Sequence, residues 1–273
     1  MNFDIKYLHE NKPQAVVLLF HGLTGSPFEL KKMAKALFNS GYDVYAETLA
    51  GHGEYSPDIK NVVWQDWQKQ GKELVLNLKQ RYDKVFISGL CLGAVLALNL
   101  SYELSNYIEA VVVLSPTLFL DGWSLPFYKF LFPIGLYTIV RYFYTFPEAE
   151  PYGIKNMSIR KKIKLLRQSN MSAMDNYPLC CVFELLKLSK CVQKNLFKIT
   201  SPILIIHAKE DDLASPKSAN VIFERVSSKI KEFILLENSY HLIVLDNEKE
   251  FVFEKTINFF KKCEVDNNKV LSI

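Results

Sequence analysis

Residues Ser88 to Ala94 read SGLCLGA, between the apolar runs VFI (residues 85–87) and VLALNL (residues 95–100). Gly89 and Gly93 flank Cys91 with one residue on either side. This is the spacing of a nucleophile elbow, G-x-S-x-G, with cysteine where serine is expected. Such a turn takes a strand into a helix so sharply that only small residues fit beside the nucleophile. It also sets Cys91 at a helix N-terminus, where the helix dipole favours a thiolate and lowers the thiol pKa. A cysteine within an apolar stretch is ordinarily inert core. The paired glycines and the strand-to-helix context point to a nucleophile instead.

Outward from the elbow, apolar runs alternate with amphipathic ones. Strands are expected at residues 15–20 (AVVLLF), 42–46, 84–88, 110–114, 203–207 and 232–236, and helices at 29–39, 66–79, 92–104, 216–226 and 248–262. Alternation of this kind implies parallel βαβ units with helices on both faces of a mostly parallel sheet, an α/β fold. Strands that are apolar without polar alternation fit a sheet buried on both sides.

The rhythm breaks between Leu118 and Ile199. That stretch opens rich in aromatic residues, is punctuated by Pro126 and Pro133, and continues into the charged helical run IRKKIKLLRQ. A helical cap over 118–199 is expected, inserted between core segments 1–117 and 200–265, with 266–273 as a flexible tail. Lys129 and Arg141 bracket too few apolar residues to span a bilayer, and Pro133 interrupts them. Peripheral lipid contact through the cap fits better.

A nucleophile needs a base, and the base needs an orienting acid. On sheets of this kind the chain order is nucleophile, acid, histidine. Of the five histidines, His9 precedes the first buried strand and is expected at the surface. His21 follows that strand in FHGLTG, His52 lies in the loop AGHGE, and His207 ends a buried strand, where local packing is expected. Only His241, in NSYHLIVLD, falls after the last strand and before the last helix. The acid should follow the preceding strand, in HAKEDD. The register of an H-G-x-x-D pattern, with Ala208 for the glycine, selects Asp211 over Asp212. The amide of Leu92, at the helix start, has no intrahelical acceptor. The amide of Leu23, in the loop HGLTG, supplies the second donor for a developing oxyanion. Trp123, Phe127 and Phe130 are candidates to line an acyl pocket beneath the cap.

Composition narrows the field. The chain has 273 residues, 49% of them hydrophobic, enough for a sizeable core, and a net charge of only +4, small for a dedicated nucleic-acid binder. It has five cysteines and no C-x-x-C pair, and its first residues lack the apolar stretch of a signal peptide. A cytoplasmic protein with free thiols is expected. No metal site, organic cofactor or nucleic-acid partner is expected, and nothing indicates an oligomeric state.

Taken together, FHGLTGSPFEL, ETLAGHGE, VVWQDW, SGLCLGA, HAKEDDLASP and NSYHLIVLD resemble the α/β-hydrolase superfamily. They are most similar to bacterial carboxylesterases and monoacylglycerol-lipase or serine-aminopeptidase-like hydrolases. The resemblance covers nearly the whole chain outside residues 118–199. It implies an acyl hydrolase of the carboxylesterase or lipase type, acting on a small apolar ester or acyl thioester. The departure is Cys91, because those carboxylesterases carry serine there. Similar cysteine elbows occur in dienelactone hydrolases and polyhydroxyalkanoate synthases. Transfer of the acyl group to an acceptor other than water is therefore the competing expectation. A binding protein on a hydrolase fold is the third.

Overall fold

The computed structural model describes residues 4–23, 25–52, 56–125, 135–147, 150–168 and 176–270. A seven-stranded sheet forms its centre. It comprises β1 (Ile5–Tyr7), β2 (Ala15–Phe20), β3 (Asp43–Ala46), β4 (Lys84–Leu90), β5 (Ala110–Leu114), β8 (Ile203–Ala208) and β9 (Lys231–Leu236). Their order is β1-β3-β2-β4-β5-β8-β9. Only β1 runs antiparallel, against β3; the other pairings are parallel. The expected strands are all present. β1 was not expected, since three residues are too few to show a period.

Alternate residues of each strand feed opposite cores, as the pleat requires. Val16, Leu18 and Phe20 face one side with α2 (Trp64–Lys79), α3 (Leu92–Glu103) and α6 (Lys217–Arg225). Val17 and Leu19 face the other, with α1 (Lys31–Asn39) and α7 (Lys249–Val270). Helix α3 is buried on all sides from Leu92 to Ser101, so it carries no polar stripe. α7 continues to Val270, past residue 266 where a tail was expected.

Between β5 and β8 lie a two-stranded antiparallel ribbon, β6 (Thr145–Pro147) with β7 (Asn176–Pro178), and the helices α4 (Met157–Gln168) and α5 (Leu179–Asn195). α5 packs on α3. His9 is half-buried and tied to the core through Asp43. Its amide and its Nδ1 lie 2.8 and 3.0 Å from the carboxylate of buried Asp43, which also accepts the hydroxyl of Tyr82.

Six parallel strands end on the same side, and the residues that follow β2, β4, β5, β8 and β9 converge there. The tightest point is the β4–α3 turn. Cys91 sits at φ 55, ψ −113, a conformation that L-residues rarely adopt. A Cβ at Gly89 would land on the carbonyl of Gly93, and one at Gly93 on the carbonyl of Phe20. Both obstacles are backbone and cannot move aside. By contrast, a Cβ at Gly71 would meet only the side chain of Leu100. Gly93→Ala should therefore cost about 3 kcal/mol or more, and Gly71→Ala clearly less. Thermal unfolding followed by circular dichroism checks this. Equal melting temperatures for the two variants would contradict the crowding described at the elbow.

Candidate active site

The sulfur of Cys91 is the focus of the strand ends. Burial pushes its thiol pKa up. The charge of His241 and hydrogen bonds from His241, Thr117 and the amide of Leu23 outweigh that and bring it below the ordinary value. Thr117, after β5, places Oγ1 3.4 Å from Sγ and 3.3 Å from the carbonyl of Ser115, so its one proton serves both. The amide of Leu23 faces the sulfur. Leu92 begins α3 directly after Cys91, and the first helical bond onto the elbow is Val95 N–H to the Cys91 carbonyl, at 3.2 Å.

The loop carrying Leu23 is shaped by Glu29. Its carboxylate accepts the amide of Gly22 at 2.6 Å, and a Cβ at Gly25 would collide with the same carboxylate. A Cβ at Gly22 would press on both Glu29 and Cys91. The loop therefore wraps the acid closely, and a side chain at either glycine would push chiefly on the Glu29 carboxylate. His21 fixes the other end. It donates from Nδ1 to the Gly22 carbonyl at 2.8 Å and accepts the Leu49 amide on Nε2 at 3.0 Å. Burial, with the neighbouring His52, lowers its pKa to about 3, so it is neutral.

His241 follows β9 and is buried. Its Nδ1 lies 2.7 Å from Asp211 Oδ2. Nε2 is turned to the Cys91 thiol through a hydrogen bond looser than the one to Asp211, as is common where catalytic contacts tighten only around substrate. Burial alone would lower the imidazole pKa. The charges of Asp211 and Cys91, with their hydrogen bonds, raise it well above the ordinary value. Asp211 is also buried. Its Oδ1 accepts the amides of Leu213 and Ala214 at 2.9 and 2.8 Å, which supports the charged form. His207 Nε2 sits 3.4 Å from Oδ2 but is committed to the carbonyl of Ala214 at 2.8 Å, the local packing expected of it.

Asp212 has a different task. Its two oxygens accept the backbone amides of His241 and Gly153, at 3.3 and 3.2 Å. Ser115, at φ 45, donates its hydroxyl to the His241 carbonyl at 2.7 Å. The sequence does not single out Glu29, Thr117 or Ser115. Each acts across a fold contact; Thr117 and Ser115 lie in no motif, and Glu29 lies in FHGLTGSPFEL, whose pattern does not mark its carboxylate.

The expected pocket aromatics fare differently. Phe127 and Phe130 lie outside the described residues. Trp123 is 59% exposed, packs edge-on against Tyr240 and donates Nε1 to the Glu210 carbonyl at 3.1 Å. It braces the acid and histidine loops from outside rather than lining a pocket. Leu136, Leu179 and Val182 form a buried cluster against the side chain of Leu23.

Residues 11–249 match the family model described as serine aminopeptidase, S33. The chain belongs to this family. It is 29% identical to a thermostable monoacylglycerol lipase of Bacillus sp. (strain H-257), over 93% of this chain and 92% of that one. It is 25% identical to a carboxylesterase of Bacillus subtilis (strain 168), over 91% and 93%. The solved monoacylglycerol lipase of Paleococcus ferrophilus superposes with a TM-score of 0.79 at 18% identity, covering 96% of this chain and 99% of that one. The fold is that of an α/β hydrolase.

The two adjacent acids give a direct comparison. Asp211→Asn removes the carboxylate that orients and charges the imidazole, and should lower turnover on the order of 10³–10⁴-fold. Asp212→Asn keeps an acceptor for the loop amides and should cost roughly tenfold or less. Steady-state kinetics of the two variants on one ester measures the difference. An Asp212→Asn loss equal to that of Asp211→Asn would reverse the assignment.

Proposed function

We propose that this chain hydrolyses apolar carboxylic esters or thioesters through a Cys91–His241–Asp211 triad and a thioester acyl-enzyme. It is an α/β-fold ester hydrolase, and the relatives that support this are named as lipases and esterases. One observation carries the finer reading. A buried cysteine at an elbow faces a buried histidine whose far nitrogen is held by a buried carboxylate at 2.7 Å.

In this reading the resting site is a thiolate–imidazolium pair. The thiolate attacks the carbonyl carbon, a C–S bond forms and the carbonyl electrons move onto oxygen. The amides of Leu23 and Leu92 hold that oxyanion. Collapse breaks the bond to the leaving group, which takes the proton from His241 Nε2. A water molecule then loses a proton to His241 and attacks the thioester. The second collapse releases the acid and regenerates the thiolate. Asp211 keeps the Nδ1 proton in place and stabilises the imidazolium throughout.

The substrate side rests on apolar surface. The Leu136–Leu179–Val182 cluster beside Leu23 suits an acyl chain. Outside it, Ile139 and Phe143 are 71% and 77% exposed with Arg141 between them, which suits contact with a lipid surface. Among the described residues, no helix is long and apolar enough to cross a membrane. None of the five cysteines, all among the described residues, is in a disulfide, which suits a reducing, cytoplasmic setting.

The test pairs a water-soluble short-chain ester with a dispersed monoacylglycerol. Cys91→Ala should lose at least about 10³-fold on both, and the parent quenched during turnover should carry the acyl group on Cys91 by mass spectrometry. Ile139→Ser with Phe143→Ser should slow only the dispersed substrate. Retained activity in Cys91→Ala would overturn the thiol mechanism.

A further inference from the structure

A second pair of thiols stands outside the ester chemistry. Cys180 and Cys181 lie in the first turn of α5, with their sulfurs 3.9 Å apart. Cys180 lines a cavity of about 240 Å³ whose walls include Lys60, Arg141, Phe183 and Glu184. The guanidinium of Arg141 packs over the Phe183 ring at 4.6 Å and bonds the neutral Leu136 carbonyl and Tyr142 hydroxyl. Glu184 is already engaged. It accepts the Trp64 amide at 3.1 Å and the Lys187 ammonium at 3.0 and 3.1 Å. The cavity is therefore positive where Cys180 meets it.

The two thiols are not equivalent. A hydrogen bond from Cys181 favours the Cys180 thiolate; burial opposes it, and the helix-start amides and Lys60 add to it, bringing the pKa to about 7. The Cys180 sulfur, burial and Glu184 all hold Cys181 in its protonated form, 3.6 Å from the carbonyl of Ile59.

We propose that Cys180 is a site of thiol–disulfide exchange with small anionic disulfides, whose negative groups are held by Lys60 and Arg141. The Cys180 thiolate attacks one sulfur of the incoming disulfide. A new S–S bond forms, the old one breaks, and the electron pair leaves on the second sulfur, which takes a proton from solvent. The disulfide is itself the oxidant. The adduct persists because burial and Glu184 keep Cys181 protonated, and because the ~3.8 Å between adjacent Cα atoms is shorter than an unstrained disulfide spans, so Cys181 resolves it poorly despite its nearness. Ile59, Cys180 and Cys181 pack as one group against Leu23, so the adduct forms one side chain away from the loop beside Cys91.

The experiment uses full-length chain carrying Cys91→Ala, incubated with oxidised glutathione at neutral pH, with adducts located by peptide mass spectrometry. Cys180 should be modified at least about tenfold faster than Cys191, whose side chain is only partly buried. Lys60→Gln with Arg141→Gln should slow modification by glutathione about fivefold or more beyond the smaller slowing of neutral hydroxyethyl disulfide that follows from losing Lys60's support of the thiolate. Modification of Cys191 or Cys263 in preference to Cys180 would overturn the proposal. So would an unchanged glutathione rate in the double variant. Neither result depends on ester hydrolysis.

Discussion

The site depends on one backbone constraint, the turn at Cys91. A non-glycine residue at φ 55 stores strain on the order of 1–3 kcal/mol. The strain persists because both sides of the turn are locked. Gly93 rests against the Phe20 carbonyl at the end of β2, and the Cys91 amide is bonded to the Leu114 carbonyl at the end of β5, at 3.0 Å. The same contacts bring β2, β4 and β5 to one level. The Leu23 loop, the thiol and Thr117 consequently meet. Ser115, the residue after β5, is the second strained position, and its hydroxyl secures the His241 loop.

Electrostatics then separates four histidines, three of them buried and His52 half-buried. In His21, His52 and His207, burial dominates and the imidazole stays neutral. Only His241 has its pKa raised. His207 shows why proximity to a carboxylate is not enough. It lies 3.4 Å from the same Asp211 oxygen, but the charge on His241 opposes a second cation there. His241 has Asp211 on one nitrogen and an ionisable thiol beyond the other. Two opposite charges offset the desolvation that one cannot.

Much of this arrangement was legible in the sequence because it resides in local patterns. The elbow glycines, the apolar strands and the order of Cys91, Asp211 and His241 each occupy short stretches with a physical reason for their spacing. The choice of Asp211 over Asp212 rests on register alone; in the fold Asp211 lies 2.7 Å from His241 Nδ1, and Asp212 holds the His241 and Gly153 amides. What was not legible comes from long-range contacts. Glu29 looks like an ordinary helix-start acid until its carboxylate is seen inside the Gly22–Gly25 loop. Thr117 and Ser115 follow a strand with no motif. Trp123 fits the composition of a lid, yet hydrogen bonding of its indole to Glu210 places it at the surface. β1 was too short to read, and α5 was hidden in a segment dominated by aromatic residues.

The most direct measurement is the rate of Cys91 alkylation by iodoacetamide as a function of pH, in the parent and in His241→Ala, followed by peptide mass spectrometry. An assembled Cys–His pair requires alkylation that persists well below 9.0, the ordinary thiol value, and a midpoint that moves up when His241 is removed. A midpoint near the ordinary value in both proteins would mean that Cys91 is a packed thiol on a hydrolase fold, and that the buried pair does not form.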